Sequence, residues 1–188
     1  MTPFAPISSA THSMTEPLAA RPIGVFDSGI GGLSVLQALR HELPHEDFVY
    51  LADSGNAPYG DAKGEAFVQQ RTLAIARWLR AQHGIKALVV ACNTATAAAV
   101  EQLRATLPDL PAIGVEPALK PAAARSQTHH VGVLATRGTV GSARFQRLLH
   151  GGIRRRRGFA GAGLRRPGPG HRAEHRGAAA GRRVGRQK

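Results

Sequence analysis

Lys86-Ala-Leu-Val-Val-Ala91, followed at once by Cys92-Asn-Thr-Ala-Thr96, is the stretch that decides the fold of this chain. A short Val/Leu run passing directly into an Ala-rich helical pattern reads as a buried parallel strand feeding a helix. Cys92 then falls on the strand-to-helix turn. In open α/β sheets ligands collect at the carboxyl ends of strands, and the partial positive charge of a helix N-terminus favours a thiolate. Position alone leaves two readings of Cys92, the only cysteine of the sequence. It is a reactive thiol, or a buried one behaving as a small hydrophobe.

The same alternation of apolar runs and amphipathic segments extends on both sides. Ile23-Gly-Val-Phe26 reads as a strand and Leu33 to Leu43 as a helix; Asp47 to Ala52 reads as a second strand. Lys63 to His83 is predicted as a long helix with Phe67, Ala74, Ile75, Trp78 and Leu79 on one face and Gly84 as its stop. Trp78 in such a stripe is read as core. Asn93 to Leu107 is the helix after the Cys92 turn, with Val100, Leu103 and Leu107 facing inward, and Ala112 to Val115 is a short further strand. His130 to Ala135 begins another strand-helix unit, whose helix runs through Ala143, Phe145, Leu148 and Leu149. Strands alternating with helices imply a parallel sheet with right-handed crossovers, so the fold class is α/β, a doubly wound parallel sheet.

Composition bounds the function classes. The chain has 188 residues, enough for about one ordinary domain or slightly more. One cysteine excludes an internal disulfide and points to a reducing compartment. Residues 1–20, rich in Ser, Thr, Pro and Ala, read as a disordered leader without the basic and apolar regions of a secretory signal; Met14 is an alternative start. No apolar stretch is long enough to span a bilayer, so no membrane partner is expected. The net charge of +13 is unevenly placed: residues 1–150 carry 13 Lys and Arg against 11 Asp and Glu, while residues 151–188 carry 12 against Glu174 alone. The later segment also holds 10 of the 22 glycines and cannot bury a core. The basicity therefore belongs to a segment unlike the rest. The nine histidines show no metal-ligand spacing; His129 and His130 read as surface residues, and His171 and His175 fall in the basic segment.

Two further strand ends carry candidate chemistry. Asp27-Ser-Gly-Ile-Gly-Gly32 follows the first strand and opens the first helix. Its glycines let the backbone turn sharply, and the helix start offers free N–H groups to an anion. It has neither dinucleotide-binding nor P-loop spacing. It is a plain tight turn or a site, and the acid and hydroxyl before the glycines favour a site. Asp53-Ser-Gly-Asn-Ala-Pro-Tyr-Gly60 follows the second strand, with Pro58 and Gly60 setting the backbone around Tyr59, whose hydroxyl is placed to reach a polar ligand. Taken alone it is a loop. Three strand ends nevertheless bring Asp27 and Ser28, Tyr59 and Gly60, and Cys92, Asn93 and Thr94 to one edge of one sheet, which implies a small, polar, partly anionic ligand.

These stretches form a series. Ile23 to Val35, Tyr50-Leu-Ala-Asp53 with Pro58-Tyr-Gly60, Ala91-Cys-Asn-Thr-Ala-Thr96, Gly114-Val-Glu-Pro117 and Gly132-Val-Leu-Ala-Thr-Arg-Gly-Thr139 together resemble, in order and spacing, the motifs of bacterial glutamate racemases of the aspartate/glutamate racemase superfamily. The resemblance covers roughly residues 22–149. It implies a cofactor-independent cytoplasmic isomerase that interconverts L- and D-glutamate and supplies D-glutamate to peptidoglycan synthesis, hence to cell wall biogenesis and cell shape. It implies a two-base mechanism in which acid–base groups flank Cα, since inversion removes a proton from one face and returns one to the other. By resemblance, Cys92 is one base and Asp27 its polar catalytic neighbour. Asp27, Ser28, Pro58, Tyr59, Gly60, Asn93 and Thr94 then hold glutamate, with Thr136 and Thr139 reaching in from a second lobe. Glu116 matches a residue at the crossover between lobes, its role open; it and the two threonines serve equally well as helix caps.

By the same resemblance residues 21–115 are the first α/β lobe and 116–150 the start of an incomplete second lobe. The second lobe is expected to pack poorly, with residues 151–188 an Arg/Gly/Pro-rich disordered tail. The family's second catalytic cysteine, in a later Cys-Thr-His motif, has no counterpart here. After about His150 the text, beginning Arg154-Arg-Arg-Arg157, reads like a GC-rich gene translated out of frame. The alternative is a genuine basic tail on a non-catalytic α/β module, binding nucleic acid through phosphate contacts but with no aromatic after Phe159 for base stacking. An unpaired apolar strand edge invites association and leaves a homo-oligomer open.

Overall fold

The structure is a computed structural model that describes residues 17–60, 63–128 and 130–152. Most of the expected leader and nearly all of the basic segment, with the nucleic-acid reading attached to it, lie outside the described residues.

Four strands form one sheet: β1 (Ile23–Asp27), β2 (Phe48–Ala52), β3 (Ala87–Val90) and β4 (Ala112–Gly114). All pairs are parallel and the spatial order is β2-β1-β3-β4. The register places Val25 beside Tyr50 and Val89, and Phe26 beside Leu51 and Val90. The chain thus winds outward from β1 to β2, then returns to β3 on the other side of β1. The order reverses between β1 and β3, and at such a reversal the connections leave in opposite directions and open a crevice at the carboxyl ends of the strands.

The helices are α1 (Leu33–Glu42), α2 (Gly64–His83), α3 (Asn93–Thr106), α4 (Leu119–Arg125), α5 (Arg137–Gly141) and α6 (Ala143–Gly152). Side chains on a strand alternate between its faces, and both faces here are covered. On one, Phe26, Leu88 and Val90 pack with Val68, Ile75 and Leu79 of α2 and Ala95 and Leu103 of α3. On the other, Ile23, Val25, Val89 and Ala91 pack with Val35, Leu36 and Leu39 of α1 and with Phe48 and Tyr50 of β2. Double coverage is why β1 and β3 read as unbroken apolar runs rather than alternating ones.

Three details differ from the sequence reading. Ala74 of α2 is exposed: the buried stripe is Val68, Thr72, Leu73, Ile75, Ala76 and Leu79, and position 74 lies about 200° around the helix from Thr72 at 100° per residue. Trp78 is half-buried at the edge of that stripe, its ring against the imidazole of His83 at 5.2 Å. The third difference is larger. Residues 130–136 form no strand, although Val131, Val133 and Ala135 alternate toward a small cluster built on Leu119, Val140, Phe145 and Leu148. The period of a strand is present, but among the described residues no neighbouring strand lies alongside to take up its backbone hydrogen bonds. Gly84 does end α2, in the left-handed conformation at φ 58° that glycine adopts without steric cost.

Candidate active site

The site is built at the reversal between β1 and β3. β3 ends at Val90, and Cys92 becomes the N-cap of α3, its backbone extended at φ −97° and ψ 119°. Its sulfur accepts a hydrogen bond from the Ala95 backbone N–H at 3.4 Å, so the thiol sits on the positive end of the α3 dipole. Cys92 is only 6 % exposed. Its second polar neighbour comes from the next strand: the Ser28 hydroxyl lies 3.3 Å from the sulfur.

Ser28 is held by the turn that carries it. The buried Asp27 carboxylate accepts the Gly32 N–H at 2.8 Å, closing the glycine turn on itself at the start of α1. Position 32 has to be glycine: a Cβ there would stand 2.7 Å from the Asp27 Cβ and 3.0 Å from the Ala91 Cβ. The Tyr50 hydroxyl, rising from β2, donates to the Gly29 carbonyl at 3.1 Å. Burial pushes the Tyr50 phenol up, with the charges of Asp27 and Cys92 adding to it, so it stays a donor across the neutral range.

The loop after β2 is organised around a residue the sequence did not single out. Asp53, 6 % exposed, accepts from the Tyr59 hydroxyl at 2.6 Å, from the Asn56 amide at 3.0 Å, and from both arms of the Arg71 guanidinium at 2.7 and 2.6 Å. Burial alone would raise this carboxyl, but the hydrogen bonds from Arg71, Tyr59 and Asn56 outweigh it and hold it below the usual carboxylate range. Burial and the bond to Asp53 push the Tyr59 phenol well above its ordinary value. Tyr59 is therefore not the ligand-facing hydroxyl expected of it. Its ring packs between Phe26 and Phe67, and its hydroxyl is committed to Asp53. What the loop presents to the site is the backbone around Gly60, while Pro58 is exposed.

Thr136 and Thr139 lie beside Thr94. Thr136 caps α5, its hydroxyl accepting the Thr139 N–H at 3.2 Å. The Thr94 hydroxyl lies 3.0 Å from that of Thr136 and 3.3 Å from that of Thr139, and those two are 3.0 Å apart. Gly60 permits the approach, since a Cβ there would stand 2.9 Å from the Thr136 Cβ. Asn93 is exposed at the start of α3 and lines a shallow hollow with Thr96, Glu116, Thr139 and Arg144. Glu116 is an ion-pair partner: Arg144 of α6 reaches it at 2.7 Å and Glu101 of α3 at 2.8 Å, tying α6 to α3.

The structure therefore gathers Asp27, Ser28, Cys92, Thr94, Thr136 and Thr139, with Gly60 touching Thr136, and leaves Pro58 at the rim. Sequence reasoning carried Tyr50 and Asp53 only within the Tyr50-Leu-Ala-Asp53 motif, without a role, and passed over Arg71, because no local spacing links a loop acid to a guanidinium 18 positions on. Among the described residues no group of three or more His, Cys, Asp and Glu is placed to hold a metal ion, and no helix is long and apolar enough to cross a membrane. Chemically, the arrangement offers a thiol at a helix N-terminus beside a hydroxyl, and a cluster of hydroxyls suited to carboxylate oxygens.

The chain is similar to known proteins. The chain is 67 % identical to a glutamate racemase of Cupriavidus pinatubonensis over 128 residues, which cover 68 % of this chain and 46 % of that protein. Among solved structures, glutamate racemase from Thermus thermophilus in complex with Beta-chloro-D-alanine is 46 % identical with a TM-score of 0.58, covering 68 % of this chain and 48 % of that one. That from Francisella tularensis in complex with D-glutamate is 38 % identical with a TM-score of 0.60, covering 70 % and 48 %. The chain spans about half the length of the relatives it matches. The model of the Asp/Glu/Hydantoin racemase family matches residues 23–168, past the point near His150 where the sequence reading placed the end of the resemblance. With a thiol at the sheet reversal, the glycine turn beside it and a family match over most of its length, this chain belongs to the Asp/Glu/Hydantoin racemase family.

Proposed function

We propose that this chain carries the thiol half of a cofactor-independent glutamate racemase site. The observation that carries the reading is the meeting of Cys92 and Ser28 at 3.3 Å where the strand order reverses, with the Thr94, Thr136 and Thr139 hydroxyls gathered alongside. That the matched relatives bear the name glutamate racemase supports glutamate as the amino acid.

On this reading the Cys92 thiolate removes the Cα proton from one face of glutamate and, as thiol, returns one to the same face. The N–H groups at the start of α3, with Ser28, Asn93, Thr94, Thr136 and Thr139, orient the carboxylates, and Asp27 steadies the turn beside the thiol. Pro58, Tyr59 and Gly60 shape the wall against which Thr136 packs. Inversion needs a second acid–base group on the opposite face, and Cys92 is the only cysteine of this sequence. D-Glutamate made in this way would serve peptidoglycan synthesis in the cytoplasm, and through it cell wall biogenesis and cell shape.

The test follows from that asymmetry. In deuterated water, with purified chain and each enantiomer of glutamate, solvent deuterium is expected to enter Cα of one enantiomer, with inversion slower than exchange by about 10²-fold or more for want of the second group. Cys92→Ala is expected to abolish the exchange. No exchange in either enantiomer, or exchange surviving Cys92→Ala, overturns the reading.

A further inference from the structure

The Tyr50 hydroxyl is aimed from outside at the turn that follows β1. Tyr50 belongs by its ring to the apolar layer between the sheet and α1, packing with Ile23, Val25, Val89 and Ala91. Its register partner on β1 is Val25, two residues before Asp27. From that footing its hydroxyl reaches the Gly29 carbonyl at 3.1 Å, and it would stand only 3.1 Å from a Cβ at position 32. The turn from Asp27 to Gly32 is therefore pinned twice: from within by the Gly32 N–H on the Asp27 carboxylate at 2.8 Å, and from the sheet by Tyr50. Ser28, the residue whose hydroxyl meets the Cys92 sulfur, is the immediate neighbour of Gly29. Without the outer pin the Gly29 peptide is free to rotate, and with it the placement of Ser28. Glycines on both sides of Ile30 offer little resistance of their own.

We propose that Tyr50 is a positioning residue, which by bonding the Gly29 carbonyl fixes the turn that holds the Ser28 hydroxyl against the Cys92 sulfur. The inference rests on the proposed function for its consequence in catalysis, whereas its test reads the thiol directly and needs no turnover. Among the described residues, Tyr50 on β2 and Tyr59 on the loop after β2 feel the charge of Cys92, so the comparison is made at one fixed pH.

Because the sequence has a single cysteine, alkylation by iodoacetamide of the full chain under native conditions reports Cys92 alone. Ser28→Ala removes the hydroxyl bonded to the sulfur and is expected to slow alkylation at pH 7.5 by about three- to tenfold, the range of one modest hydrogen bond. Tyr50→Phe keeps the ring in its cluster and is expected to slow it by about threefold, and to add almost nothing when Ser28→Ala is already present. The Gly32 amide should exchange faster in Tyr50→Phe while the β1 amides keep their protection. An unchanged alkylation rate in Tyr50→Phe, or an effect of the same size in both backgrounds, overturns the proposal. Failure of Tyr50→Phe to fold cooperatively overturns it too, since loss of one hydroxyl would then have a global effect rather than a local one.

Discussion

The sheet of residues 23–114 and the segment 119–152 carry similar sequence signals and reach different ends. In the first, every apolar run found a parallel neighbour, and Val25, Phe26, Leu88 and Val90 are fully buried between helices on both faces. In the second, Val131, Val133 and Ala135 keep the alternation of a strand yet form no ladder, and the cluster they join rests on four buried residues. Periodicity states which face of a segment is apolar; a strand additionally requires a second backbone at hydrogen-bonding distance. The segment holds to α3 instead through the hydroxyls of Thr136 and Thr139 and through the ion pair of Arg144 with Glu101.

Substitutions at four positions sharpen the contrast, taken from the largest expected effect downward. Asp53→Ala removes the acceptor of the Arg71 fork and of the buried Tyr59 hydroxyl, and should destabilise the first lobe by about 4 kcal/mol in urea unfolding. The same group predicts a pH dependence. Its folded-state carboxyl lies below its ordinary value, so the unfolded chain takes up the proton more readily. The stabilisation is therefore complete above about pH 5 and is lost as pH falls through about 4 toward the folded-state value. Asp53→Asn should flatten that acid limb; an unchanged limb would assign it to other carboxylates.

Leu103→Ala, in the large core, is expected to cost about 3 kcal/mol, and Leu148→Ala, in the small cluster, about 1 to 2, because a thinly covered site collapses more readily around the gap. Equal costs, together with equal amide protection of α6 and β3, would show that the two regions unfold as one unit and erase the distinction.

Gly60→Ala has the smallest expected effect, about 1 kcal/mol, its Cβ standing 2.9 Å from the Thr136 Cβ so that the start of α5 must shift. Its expected signature is local: faster exchange of the Thr139 amide with no change in the β1 and β3 amides. Uniform loosening would mean that the contact between Gly60 and Thr136 supports the whole fold.

The candidate residues at the strand ends were legible along the chain. Asp27 ends β1 and Ser28 follows it, while Cys92, Asn93 and Thr94 come soon after β3, and residues at the ends of parallel strands share an edge wherever the strands pair. Thr136 and Thr139 could be named only through the family motif, since nothing local says that a segment 42 residues beyond Thr94 folds back onto it. Tyr59 was expected to offer its hydroxyl to a ligand, and the structure bonds that hydroxyl to Asp53. A phenol in a Pro-Tyr-Gly loop faces either solvent or core, and the choice was made by Asp53 and Arg71, which are distant in sequence.

The sequence by itself determined the alternation of strands and helices, the doubly covered parallel sheet and the position of the thiol at a helix N-terminus, because these follow from local hydrophobic period, turn residues and chain direction. Only the tertiary structure decided which hydroxyls meet the sulfur and which are spent on the protein itself. It put Ser28 on Cys92, Tyr50 on Gly29 and Tyr59 on Asp53, and it left 130–136 without a ladder. Those outcomes depend on which backbone or side chain occupies a particular few ångströms of space, and hydrogen bonds, being short and directional, respect that proximity rather than separation along the chain.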